Sequence, residues 1–236
     1  MAGQLYYYIT SLPQLGELGS VPPMTGKDML ERLAGAGKAR SAVEAAFLSD
    51  DLLQREALLA GELQDAETAV LTLAQSHDDE PLPEYLVPAK MPVARRAAAD
   101  LMWEGYFRYS AHAAVATGNA LLAAWVAYEV ALRNAVAEHR ARDLDLAPED
   151  YVVAADLADR EEDFRQVLSE WASAPDPLAG MRLLDRARWA WITQRDRWYG
   201  FEAEELVAYA AKLILLTRWR RTAGAEADRP PARRAG

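Results

Sequence analysis

The sequence predicts an all-α protein, and three observations carry that expectation. Apolar residues recur at helical spacing over most of the chain, no alternating run is long enough to require a strand, and helix-capping residues stand at several of the expected boundaries. Half of the 236 residues are apolar, enough for a sizeable core.

The opening segment Leu5–Ile9 is aromatic and reads as either a short strand or a first helical turn. Gly16, Gly19, Pro22 and Pro23 then mark a loop. Thr25 is an N-cap residue with Asp28 at the third helical position, a carboxylate form of the capping box. This helix is expected to run to about Leu33 and to end near Gly35 and Gly37. Residues 39–60 read as a helix kinked at Ser49-Asp50-Asp51, and 65–75 as another short helix.

His77–Pro92 is acidic and proline-rich, which predicts an exposed linker between an N-terminal helical lobe (1–76) and a C-terminal one (93–221). Val93–His139 is helical, broken at Thr117-Gly118-Asn119. In its second half Leu121, Trp125, Tyr128, Leu132 and Val136 form one stripe, with Val126 and Val130 on the other side. That predicts a central, buried helix, in which Glu129 and Arg133, four apart, form a buried pair.

Residues 148–173 read as an acidic helix, Asp176 as the cap of a helix through Trp198, and Glu202–Arg221 as the last helix. The remaining 222–236, with two prolines and three arginines, read as a disordered tail.

Composition excludes several functions. The net charge of −10 argues against a nucleic-acid partner, which needs a clustered positive field. Cysteine is absent, so there are neither disulfides nor thiolate ligands, in keeping with a reducing compartment. No signal peptide is visible, and the apolar run Ala120–Tyr128 is shorter than the roughly 20 residues a bilayer span needs. The expectation is a cytoplasmic protein without direct membrane insertion.

No catalytic, cofactor-binding or metal-ligating residue stands out. Gly35-Ala36-Gly37-Lys38 imitates a phosphate loop, but Arg32 occupies the required first glycine and Ala39 the Ser/Thr position. His77, His112 and His139 are far apart and lack carboxylates at ligand spacing. Asp78-Asp79-Glu80 and Glu161-Glu162-Asp163 read as solvated surface.

What remains is Leu183–Trp219, which holds four of the seven tryptophans among many arginines. In its first helix Leu184, Ala187, Trp191 and Trp198 form the core stripe, while Trp189 points away beside Arg182, Asp185, Arg186 and Asp196. In its second, Leu206, Tyr209, Leu213 and Leu216 form the core stripe, and Lys212 and Trp219 share an adjoining face. Two readings stand open for Trp189, Lys212 and Trp219: packing beneath a neighbouring helix, or an aromatic-arginine partner surface.

Four segments together resemble a bacterial family of uncharacterised proteins encoded within V-type (V/A-type) ATPase operons, similar to the ATPase's C or d subunit. They are Tyr6–Pro13, Glu129–Asn134, Leu184–Trp189, and the closing set Phe201, Tyr209-Ala210-Ala211-Lys212-Leu213 and Arg218-Trp219. The resemblance implies a shortened C-like fold of two packed helical lobes and a non-catalytic subunit. Its partners would be the central-shaft subunits and the membrane rotor ring, with Arg182, Asp185, Arg186, Trp189, Lys212 and Trp219 as the candidate interface. A competing reading, of another class, is a helical ligand-binding protein or enzyme whose Arg/Trp-lined C-terminal pocket takes an anionic small molecule. A third is a free-standing adaptor.

Overall fold

The computed structural model describes residues 2–87, 98–197 and 200–227, and within them the protein is all-helical. Helices α1 (Ala2–Ser11), α2 (Gly26–Arg32), α3 (Lys38–Leu59) and α4 (Leu73–Ser76) come first. They are followed by α5 (Ala98–Thr117), α6 (Ala120–Asp143), α7 (Arg165–Ala172), α8 (Pro177–Arg195) and α9 (Ala203–Ala227).

Local chemistry sets several boundaries where the sequence placed them. Thr25 and Asp28 form the full capping box, at 3.1 and 3.0 Å. Asn119 Oδ1 accepts the Leu122 N–H at 2.8 Å, and Gly118 before it adopts φ +70°, so α5 and α6 break at the expected tripeptide. Asp176 caps α8 through the Ala179 N–H at 2.8 Å. The opening segment resolves as helix rather than strand. Gly37, at φ +54°, opens α3 rather than closing α2. The final helix passes the expected end at Arg221 and continues to Ala227, into the expected tail; residues 228–236 and Trp198 lie outside the described residues.

The most enclosed helix is α9, not α6. Leu206 to Ala211 and Leu213 to Leu216 are all buried, so its expected stripe is only part of a helix apolar nearly all round. It packs against α3, α8, α6, α1 and α2. Only part of α6 is enclosed, though it is long and apolar enough to cross a membrane by length and composition; its buried residues, among them Leu122, Val130 and Leu132, belong to the core. The N-terminal segment runs alongside α9 in the same direction. Tyr6 meets Phe201 with ring centroids 4.8 Å apart, and the Tyr209 hydroxyl donates to the Pro13 carbonyl at 2.8 Å.

Two expected helices are largely replaced by irregular chain, for one physical reason. A backbone segment can leave the helix only if its N–H and C=O groups find other partners. Asp51 on α3 accepts the N–H groups of Ala69, Val70 and Leu71 at 2.6–2.9 Å. Gln54, one turn on, takes the Glu67 N–H at 2.8 Å and donates to the Glu67 carbonyl at 3.1 Å. Residues 65–72 are therefore held as irregular chain, bent at 69–71, and only Leu73–Ser76 is helical. Likewise Asn134 of α6 brackets Val153, donating to its carbonyl at 2.8 Å and accepting its N–H at 2.9 Å. Glu104 of α5 accepts the Ala154 N–H at 2.7 Å. The expected helix over 148–173 thus shrinks to α7 and two single turns. These roles also explain why α3 passes through Ser49–Asp51 unbroken: the acids serve tertiary structure, not a kink.

The expected linker is docked in its described part, 77–87. Asp78 pairs with Arg55 at 2.5 Å, and Tyr85 stacks on Tyr109 of α5 at 4.2 Å. Leu86 is fully buried. Its backbone lies so close to α5 that a Cβ on Gly105 would stand 2.5 Å from the Leu86 carbonyl oxygen. Most of 77–87 is exposed, with Leu86 as its anchor, and one continuous core spans α2 to α9, with α3 packed on both α5 and α9. Residues 88–97 lie outside the described residues.

This arrangement makes Asp51 a splint for the 65–72 segment. Burial pushes its carboxyl up to about 6, against three N–H donors that favour the charged form. Asp51→Asn sets an amide NH₂ against one of those donors. The expected loss is about 1–3 kcal/mol in urea unfolding, the scale of an unsatisfied buried polar group. A loss below about 0.5 kcal/mol, a surface-like value, means the loop holds itself.

Candidate functional site

The residues singled out in the sequence fall into two groups. The first is an arginine–carboxylate network across α6, α8, α9 and α3. Glu129 of α6 receives both arms of Arg188 from α8, at 2.7 and 3.1 Å. Asp185, fully buried one turn before, accepts from Arg188 at 3.3 Å and from Arg218 of α9 at 2.5 and 3.2 Å. One turn further, Arg221 makes a bidentate pair with Asp50 of α3 at 2.6 and 2.9 Å. Three guanidiniums and three carboxylates tie four helices together. Burial opposes the charge on Arg188, but its pairing with Glu129 outweighs burial and holds the guanidinium above its ordinary pKa.

The expected pair of Glu129 with Arg133 is not formed. Helix spacing places the two on one face, but Arg188 reaches Glu129 with a bidentate fork that an i,i+4 neighbour cannot match. Arg133 turns instead to Asp100 at 3.4 Å and lies 4.8 Å over the Trp103 ring. Burial pulls its pKa below the ordinary arginine value.

The second group is the expected partner surface, and the structure divides it. Asp185 is buried in the network just described and cannot face a partner. Lys212 is also buried, with its ammonium 2.6 Å from Asp196 and 5.7 Å over the Trp189 ring. Trp189 is half-buried against the core beneath that lysine. Both residues take the packing reading: seen along α8, Trp189 points away from Trp191, yet α9 covers that side too. Arg182, Arg186 and Trp219 do come together, with both guanidiniums over the Trp219 ring at 5.5 and 5.9 Å. Arg186 is exposed and the other two are half-buried.

Sequence periodicity missed the aromatic surface that is present. Tyr6 and Tyr7 of α1 are 53 % and 68 % exposed, the first beside Phe201. The one available signal was that three successive tyrosines on a helix cannot all face one neighbour.

A cavity of about 790 Å³ lies against the network, walled by α3, α5, α6, α8 and α9. It is within the size range of small-molecule sites. Its tryptophans are Trp103, Trp125 and Trp171, so it is not a pocket of the C-terminal tryptophans: Trp189 and Trp219 do not line it. Among the described residues no three histidine, aspartate or glutamate side chains converge as a metal site would require.

No protein-family model matches the chain, and no curated protein or solved structure is measurably similar to it.

The geometry assigns the coupling of Glu129 to Arg188. A double-mutant cycle of Glu129→Ala with Arg188→Met should give an interaction energy of about 1–3 kcal/mol, and the cycle with Arg133→Met less than about 0.5 kcal/mol. The reverse ranking, read from chemical denaturation, refutes the assignment. Asp185→Ala strands the Arg218 guanidinium, while Arg188 keeps Glu129, and should cost about 3–5 kcal/mol in the same assay.

Proposed function

We propose that this protein is a non-catalytic subunit of a bacterial V-type ATPase, a shortened C-like part that couples the central shaft to the membrane rotor ring. It would be cytoplasmic and held at the membrane through the complex. One observation carries the reading. The four segments that resemble the ATPase-associated family, scattered from end to end of the sequence, meet as one set of contacts. Tyr6 rests on Phe201, Pro13 on Tyr209, Glu129 on Arg188, Asp185 on Arg218, and Trp189 under Lys212. Segments that interlock in this way define a scaffold, and a scaffold signature is what a shared coupling fold requires.

Rigidity supports the same reading. A torque-bearing part must resist sliding of its helices. Bidentate guanidinium–carboxylate forks between helices resist it better than apolar contact alone, because they are directional. The docking surface moves, however, from Trp189 to the exposed tyrosines of α1 and the Arg182–Trp219–Arg186 stack. Tyrosine and arginine are both enriched at interface hot spots.

A tagged chain expressed in its native cell should recover central-shaft or rotor-ring subunits. Tyr7→Ala should weaken that assembly by about 2 kcal/mol or more with the monomer's thermal midpoint unchanged. Trp189→Ala should lower the midpoint instead. A tagged chain that never recovers ATPase subunits ends the proposal; recovery undiminished by Tyr7→Ala moves the docking surface elsewhere.

A further inference from the structure

The cavity has an asymmetry that the network does not explain. Its inner end is apolar and aromatic, with Tyr106, Phe107, Trp125 and Leu215 on the walls. Its outer end carries Arg140 on α6, with Leu144 and Leu146 just beyond, 67 % and 38 % exposed. Exposed leucines at the rim of an apolar cavity give a greasy entrance. Arg140 differs from the inner arginines. Arg188, Arg218 and Arg221 are each committed to a carboxylate, whereas among the described residues Arg140 has none. Its guanidinium lies over the Trp171 ring at 5.1 Å. Stacking on an indole holds the guanidinium by its face and leaves the N–H edges free to take a carboxylate.

Along α6 the stripe facing the cavity includes Glu129, Arg133, Val136, Ala137 and Arg140, and along α8 it includes Met181, Leu184 and Arg188. The space between them is elongated, bridged at one end by Glu129–Arg188 and bordered at the other by Trp171. An elongated apolar space with a single uncommitted cation at its mouth has the complementarity of an amphiphile with one acidic head.

We propose that this cavity binds a single-chain carboxylic acid, with the carboxylate on Arg140 and the alkyl chain inside between α6 and α8. The inference is independent of the ATPase reading: it rests on the cavity alone, and either can fail without the other. Arg140 and the rim leucines set the direction of entry. The committed arginines keep the inner wall neutral, so a second charge inside the cavity finds no counter-ion.

Calorimetric titration with dodecanoate below its micellar range, alongside dodecanol, tests this. Dodecanoate should bind saturably and dodecanol at least about tenfold more weakly, the scale of one charge-assisted contact. Arg140→Gln, a change at an exposed position, should bring dodecanoate down to the affinity of dodecanol. Ala137→Phe, checked for folding by circular dichroism, should abolish binding of both by filling the cavity. Equal affinity for acid and alcohol, undiminished binding by Arg140→Gln, or no saturable heat with either ligand overturns the proposal.

Discussion

The carboxylate of Asp185 is the constraint around which the C-terminal helices are arranged. It sits on α8 with no solvent exposure and is shared between Arg188 of its own helix and Arg218 of α9. A lone buried carboxylate would be expensive, so its position demands both arginines, and Arg188 in turn demands Glu129 of α6. Each ion is thus tolerable only because the next is present. Apolar packing alone would let α6, α8 and α9 slide by a turn at modest cost. A chain of forks with fixed donors and acceptors permits one register.

Side chains also decide where helix gives way to irregular chain. Asp51 and Gln54 on α3 satisfy the backbone of residues 67–71, and Asn134 and Glu104 do the same for Val153 and Ala154. These four were invisible as organisers in the sequence. Local pattern reports what a segment prefers by itself, and 65–75 and 148–173 do have helical preference. It cannot report that an acid some eighteen residues away will take three consecutive N–H groups. Conversely, the Thr25–Asp28 box and the Asn119 and Asp176 caps were legible because cap and helix are neighbours in sequence.

The site was legible in composition but not in assignment. The sequence marks the region of Arg182 to Trp219 as rich in guanidinium and indole, and two of its arginines, Arg188 and Arg218, do enter the network, while its indoles Trp189 and Trp219 lie beneath other cations. Which arginine meets which acid was not readable, because pairing depends on the crossing of α6 with α8. The i,i+4 rule pointed from Glu129 to Arg133; Arg188, 59 residues away, took the partner with both arms. Asp185 read as surface because it neighbours charged residues, yet the same arginines are what allow it to be buried. Gly105 shows the complementary case: a glycine within a helix announces close approach of another backbone, but only the fold identifies it as that of Leu86.

The position of α9 has a consequence for how the chain comes into being. Helix α9, which packs against α3, α8, α6, α1 and α2, is synthesised after all of them, and its Tyr209 closes a contact with Pro13 across 196 residues. While residues 203–227 are still inside the ribosome, α3 and α8 have no partner for the apolar faces that α9 will cover. Contacts of such long sequence separation form late, because the closure entropy is incurred before they contribute. Folding is therefore completed only once α9 has emerged, and a chain arrested before residue 203 displays the uncovered apolar faces of α3 and α8 beside the packing of α3, α5 and α6. Such an intermediate is a natural client for chaperones that recognise exposed apolar helix faces.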